Sequence, residues 1–149
     1  MISSPTPFEI LLLEDEPADA YLVRLALKGS RILANINHVP DGREGLDFLR
    51  RNGQYAAAPY PDLILLDINM PRMNGREFLS AIKADEAFKA IPVVILTTSE
   101  VDRDIVSSYE PGAAGYITKP IDITRFIDAV TKLGDYWFAL VRLPKEKIA

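Results

Sequence analysis

Cysteine is absent from this chain, and histidine occurs once, at His38. The first absence excludes disulfides, thiolate metal sites and cysteine nucleophiles. The second excludes any centre that needs two imidazoles. Basic residues are outnumbered, 17 Lys+Arg against 21 Asp+Glu, for a net charge of −4. That balance disfavours nucleic acid as a partner, since such binding leans on clustered basic side chains that neutralise phosphates. No apolar run approaches the roughly 20 residues that cross a bilayer. The opening "MISSPTPFE" also lacks the basic and apolar regions of a signal peptide. A cytoplasmic protein with no membrane partner is the expectation. What is present is ordinary: 149 residues, 48% hydrophobic and 26% charged, enough for one domain with a substantial core.

Short apolar runs alternate with helical patterns along the chain. Strands are expected at Glu9–Glu14, Ala34–Val39, "DLILLD" ending on Asp67, Ile91–Thr98 and Ala114–Thr118. Between them lie helical stretches at Pro17–Lys28, after Asp41, at Arg76–Ala84 and after Ser99, and a long last helix opens near Asp122. Pro17 suits a first helical turn, Gly29 an exit, and Asp41 with Glu44 has capping-box spacing. "NGQYAAAPYP" (Asn52–Pro61) reads as a turn-rich loop. The first, third and fourth strands are almost wholly apolar, as expected when helices cover both faces of a sheet. Five strands alternating with five helices imply an α/β fold, a doubly wound parallel sheet with right-handed crossovers.

Such sheets hold their chemistry beyond the carboxyl ends of the strands. There the sequence places Glu14, Asp15 and Glu16 after the first strand, Asp67 after the third, Thr97 and Thr98 after the fourth, and Lys119 after the fifth. Singly, each has a bland explanation. Strand-end acids can be helix caps, Asp67 can be a turn residue, Thr is common in strands, and Lys119 can be a solvated lysine. Their convergence on one sheet edge favours a site. Carboxylates packed together repel unless a cation bridges them, and oxygen-only donors select a hard ion such as Mg²⁺. Asp67 can then serve as both metal ligand and nucleophile toward a phosphoryl group, with Lys119 neutralising the spreading charge.

The set Glu14-Asp15, Asp67, Thr97 and Lys119-Pro120 resembles the receiver domain of two-component response regulators. The resemblance covers about Phe8 to Leu133, and implies a flavodoxin-like sheet in the order 2-1-3-4-5. It further implies one receiver domain over 1–149, with a core of about 8–133, a helical extension and tail over 134–149, and no output domain. By this resemblance Asp67 is the phosphoacceptor, loaded by a histidine kinase in a Mg²⁺-dependent reaction, and the chain is a regulator rather than an enzyme. Asp15 would ligate the metal directly, Glu14 through water, and Asn69 through its backbone carbonyl. Thr97 and Tyr116 match the switch pair, and Lys119 the phosphate-binding lysine. Glu14 stands where many receivers have Asp, and Asn74-Gly75 where many have Asp-Gly, a pair that suits a turn with positive φ. Pro120 leaves a cis or a trans bond equally open.

The long loop before the third strand and the apolar tail look like stand-alone regulators of phytochrome histidine kinases. In the tail, Tyr136, Trp137, Phe138 and Leu140 either fold back on the domain or form an interface. The leading expectation is a homodimer through helix four, strand five, helix five and the extension. Output would pass by protein contact or phosphorelay. Three rivals carry less. A haloacid-dehalogenase-type phosphatase needs an acid where Asn69 stands. A flavodoxin-like cofactor binder needs a phosphate loop where three acids stand. A phosphorylation-independent pseudo-receiver module has no reason to keep these acids, Thr97 and Lys119.

Overall fold

The computed structural model describes residues 8–28, 34–68, 70, 72–97 and 115–118. The elements run β1 (Phe8–Leu13), α1 (Pro17–Lys28), β2 (Ala34–Val39), α2 (Gly42–Arg50), β3 (Leu63–Asp67), α3 (Gly75–Lys83), β4 (Val93–Thr97) and β5 (Gly115–Thr118). All strand pairs are parallel, in the order β2-β1-β3-β4-β5. The fourth and fifth helices expected from the sequence lie outside the described residues.

The pleat sends alternate side chains to opposite faces, and both faces are buried. Leu11, Leu13, Ile64, Leu66, Val93 and Ile95 pack against Leu46 and Leu49 of α2 and Phe78, Leu79 and Ile82 of α3. On the other face Ile10, Leu12, Leu63, Leu65, Val94 and Leu96 meet Ala20, Val23 and Leu27 of α1. This two-sided cover is why β1, β3 and β4 are apolar runs rather than alternating ones. β2 is a sheet edge among the described residues and is correspondingly mixed, with Asn35 and Asn37 bonding the Glu9 carboxylate. No described helix is long and apolar enough to cross a membrane.

Several boundaries differ from the sequence expectation. β1 stops at Leu13, so Glu14 stands just beyond the strand, and β4 begins at Val93 rather than Ile91. Asn74-Gly75 is not a positive-φ turn. Asn74 (φ −76°, ψ 173°) caps α3, its side chain accepting from Glu77 N while Glu77 bonds back to the Asn74 N–H. The left-handed residue is instead Arg72, at φ 61°. The loop after α2 is also more ordered than a turn-rich reading suggests. Arg51 closes α2 in the left-handed region, a 3-10 turn follows at Gly53–Tyr55, and the Tyr55 hydroxyl donates to Glu44 at 2.6 Å.

Candidate functional site

The strand register assembles the site. Leu13 of β1 pairs with Leu66 of β3, so one step on, Glu14 and Asp67 stand side by side. Asp67 in turn pairs with Leu96 of β4, which brings Thr97 next beyond it, and Thr97 pairs with Thr118 of β5. Glu14, Asp15 and Asp67 each offer a carboxylate oxygen lying within 4.8 Å of the others. Glu14 is wholly buried and Asp67 is 2% exposed, whereas Asp15 faces solvent. Of the residues expected here, Asn69, Lys119 and Pro120 lie outside the described set, as do Tyr136, Trp137, Phe138 and Leu140. Thr97 and Tyr116 are described in their backbone position only.

Each acid has a local reason for its position. The Glu14 N–H donates to Val39 O at 3.1 Å, extending the β1–β2 ladder by one residue. Its side chain turns back to accept the Glu16 N–H at 3.3 Å. Asp67 is the last residue of a strand with no exposed position. Beyond it, the Ile68 N–H donates to Leu96 O at 3.1 Å and the Gly75 N–H to Ile68 O at 3.2 Å. A Cβ on Gly75 would sit 2.7 Å from Asp67 O and 2.7 Å from Ile68 Cα. Only glycine lets α3 begin this close to the carboxylate-bearing strand end.

Three ionised carboxylates so near one another repel. A cation relieves this. The donors are all oxygens, a set that suits a hard divalent ion and excludes a soft one. The three carboxylates therefore fit a hard divalent ion such as Mg²⁺.

Sequence reasoning missed the partners of two further residues, His38 and Asp41. His38 lies opposite Leu12 on β2, and its Nε2 is 2.6 Å from the Glu14 carbonyl. A carbonyl only accepts, so Nε2 carries the proton and the ring anchors the backbone that presents the acids. A lone histidine in an edge strand offers no local sign of this. The second is Asp41, 3% exposed, whose Oδ1 accepts from Glu44 N at 2.9 Å while Oδ2 accepts from Arg72 Nε at 2.8 Å. The capping role of Asp41 was legible; its distant partner was not. Beside it, Tyr55 has its phenol pushed up to about 12, first by burial, then by the Glu44 carboxylate it donates to, and then by the charges of Asp47 and Asp41.

Comparison with known proteins bears on this geometry. Residues 10–131 match the model of the response regulator receiver domain. Response regulator Rcp1 of Synechocystis is 40% identical over 141 residues, which cover 95% of this chain and 96% of that protein. Among solved structures, the phosphorylated cyanobacterial phytochrome response regulator RcpA superposes with a TM-score of 0.76 at 41% identity, covering 89% of this chain and 95% of its own. The Mn²⁺-bound form of Rcp1 gives 0.75 at 40% identity, covering 91% and 97%.

Proposed function

The chain belongs to the response regulator receiver domain family, and from that premise we propose that it takes a phosphoryl group onto Asp67 from a histidine kinase and passes the signal on by protein contact or phosphorelay. One observation carries this reading: a buried aspartate at the tip of the central strand has two further carboxylates within 4.8 Å. In the reaction an Asp67 oxygen forms the new P–O bond, the donor's P–N bond breaks, and the departing imidazole takes up a proton. Asp67 becomes an acyl phosphate.

Asp15 and Asp67 would hold Mg²⁺ in this scheme, Glu14 through water and Asn69 through its backbone carbonyl. The metal, when bound, neutralises charge that builds on the phosphoryl oxygens. A relative solved with Mn²⁺ bound supports a divalent ion in this role. Lys119 pairs with the phosphoryl group, and Thr97 bonds it afterwards. As Thr97 moves, Tyr116 turns inward and reshapes the face formed by the fourth helix, β5 and the fifth helix. That face, with Tyr136, Trp137, Phe138 and Leu140, forms a homodimer. Likeness to a phytochrome response regulator supports a phytochrome-type kinase as the donor.

The test is incubation with acetyl phosphate, with and without Mg²⁺, followed by intact-mass measurement. Wild type is expected to gain one phosphoryl group only with the metal, and Asp67→Asn none. Uptake that survives Asp67→Asn would overturn the assignment. Light scattering of the full chain, showing a monomer at tens of micromolar in both phosphorylation states, would remove the dimer.

A further inference from the structure

Just past the end of β1, the backbone of Glu14 is held from β2 at both of its polar groups. Its N–H donates to the Val39 carbonyl at 3.1 Å, and its own carbonyl accepts the Nε2–H of His38 at 2.6 Å. The first bond continues the β1–β2 ladder. The second comes from a side chain 24 positions away along the chain. Downstream, the Glu16 N–H turns back onto the Glu14 carboxylate at 3.3 Å, and Glu16 O accepts the Ala20 N–H at 3.1 Å as α1 begins. The peptide between Glu14 and Asp15 thus lies between a strand end and a helix start, and His38 pins it from outside.

That peptide is the piece of backbone that aims two of the acids. A peptide group is planar, and its plane includes the Cα atoms on either side. Here those atoms carry the Glu14 and Asp15 side chains, so a bond to the carbonyl fixes the plane from which both carboxylates start. Glu14 is buried and packing helps to hold it. Asp15 faces solvent and takes its position from the backbone, yet its carboxylate offers an oxygen within 4.8 Å of those of Glu14 and Asp67. Like charges so close push the exposed one away, and a pinned peptide limits how far it can go. His38 is itself exposed on β2, so the bond, rather than packing, is what its ring contributes.

We infer that His38 is a positioning residue for the metal site: its Nε2–H holds the Glu14–Asp15 peptide so that these two carboxylates meet that of Asp67 around one cation. Through that cation His38 also serves phosphoryl transfer, a consequence that rests on the receiver reading. The imidazole touches neither the metal nor the phosphoryl group. It acts through the main-chain oxygen that it bonds. What the site requires at this point is a donor at the place of Nε2, and not a ring as such.

The donor can be kept, shortened or removed without altering a carboxylate. Gln carries a side-chain N–H near the place of Nε2, Asn carries one that stops short of it, and Phe keeps a ring without a donor. Phe suits a strand, and Asn35 and Asn37 already stand on β2, so the variants are expected to fold. Mg²⁺ binding is read by calorimetry on the unphosphorylated full chain, and stability by urea denaturation without metal. His38→Phe and His38→Asn are each expected to bind Mg²⁺ roughly 3- to 10-fold more weakly, below the roughly 10- to 100-fold of partners that bond a ligating group itself. His38→Gln is expected to bind within about twofold of wild type, because its amide restores the donor. A bond that only stabilised the fold would lower the urea midpoint of His38→Phe and leave its Mg²⁺ affinity at the wild-type value. That result would overturn the inference, as would a His38→Gln that binds no better than His38→Phe, and either would leave the receiver reading intact. A wild type that binds Mg²⁺ yet gains no phosphoryl group from acetyl phosphate would overturn the receiver reading, while Mg²⁺ affinities that still follow the donor would support the hold of His38 on the acids.

Discussion

At Tyr55 a phenol, a carboxylate and a helix start are joined in one contact. Its hydroxyl donates to Glu44 at 2.6 Å, and its ring meets Phe48 edge-on with centroids 5.5 Å apart. The folded protein holds the phenolic proton more tightly than the unfolded chain, from the ordinary 10.0 up to about 12. The stability this contributes is therefore complete below pH 10.0 and is lost as pH rises toward about 12. Urea denaturation across that interval is expected to show a steeper loss for wild type than for Tyr55→Phe. Gly75 yields a second prediction. The atoms that an added Cβ would strike, Asp67 O and Ile68 Cα at 2.7 Å, belong to backbone and cannot swing aside. Gly75→Ala is expected to cost about 1–3 kcal/mol in urea denaturation, the scale of overpacking, and to weaken Mg²⁺ binding, since the displaced atoms carry the site. Neither residue announced its role locally: Tyr55 sat in a stretch read as a turn-rich loop, and Gly75 in one read as a turn.

Among the elements, α1 and β2 have the boundaries expected from sequence, Pro17–Lys28 and Ala34–Val39. Their signals are local: a proline suited to the first turn and an alternating run. α3 starts one residue earlier than expected because Asn-Gly admits two local solutions, a positive-φ turn or a helix cap followed by a close approach. The second won because Glu77 lies three residues on and completes a capping box with Asn74. Asn74→Ala is accordingly expected to destabilise by about 1 kcal/mol, and Asn74→Asp by much less, since Asp caps equally well. Urea denaturation of both variants checks this. Had Asn74 formed only a turn, the two substitutions would not separate in this way.

For the whole molecule, folding brings acids from two strands together at one edge of the sheet. Relieving their repulsion links metal binding to stability. Saturating Mg²⁺ is expected to raise the melting temperature, with a gain of about 2.7 kcal/mol at a hundredfold excess over Kd, and a chelator to reverse it. Asp67→Asn is expected to be more stable than wild type in the absence of metal and to lose the Mg²⁺ response. A thermal scan of both proteins with and without the ion tests the two statements together. A wild type indifferent to Mg²⁺ would argue against a shared cation at Glu14, Asp15 and Asp67.

The sequence by itself determined the strand–helix alternation, the two-sided burial of β1 and β3, and the carboxylates waiting at strand ends, because each is a short-range pattern of side-chain type. Composition closed off disulfides, thiolate sites and paired imidazoles on the same terms. Tertiary structure decided what those residues do to one another. The β1–β3 register sets Glu14 beside Asp67, His38 bonds the Glu14 carbonyl across from β2, and Arg72 reaches back 31 positions to Asp41. These are pairings between segments distant in the chain. They depend on the register and on the angle at which α2 and α3 settle on the sheet, quantities that no local pattern encodes.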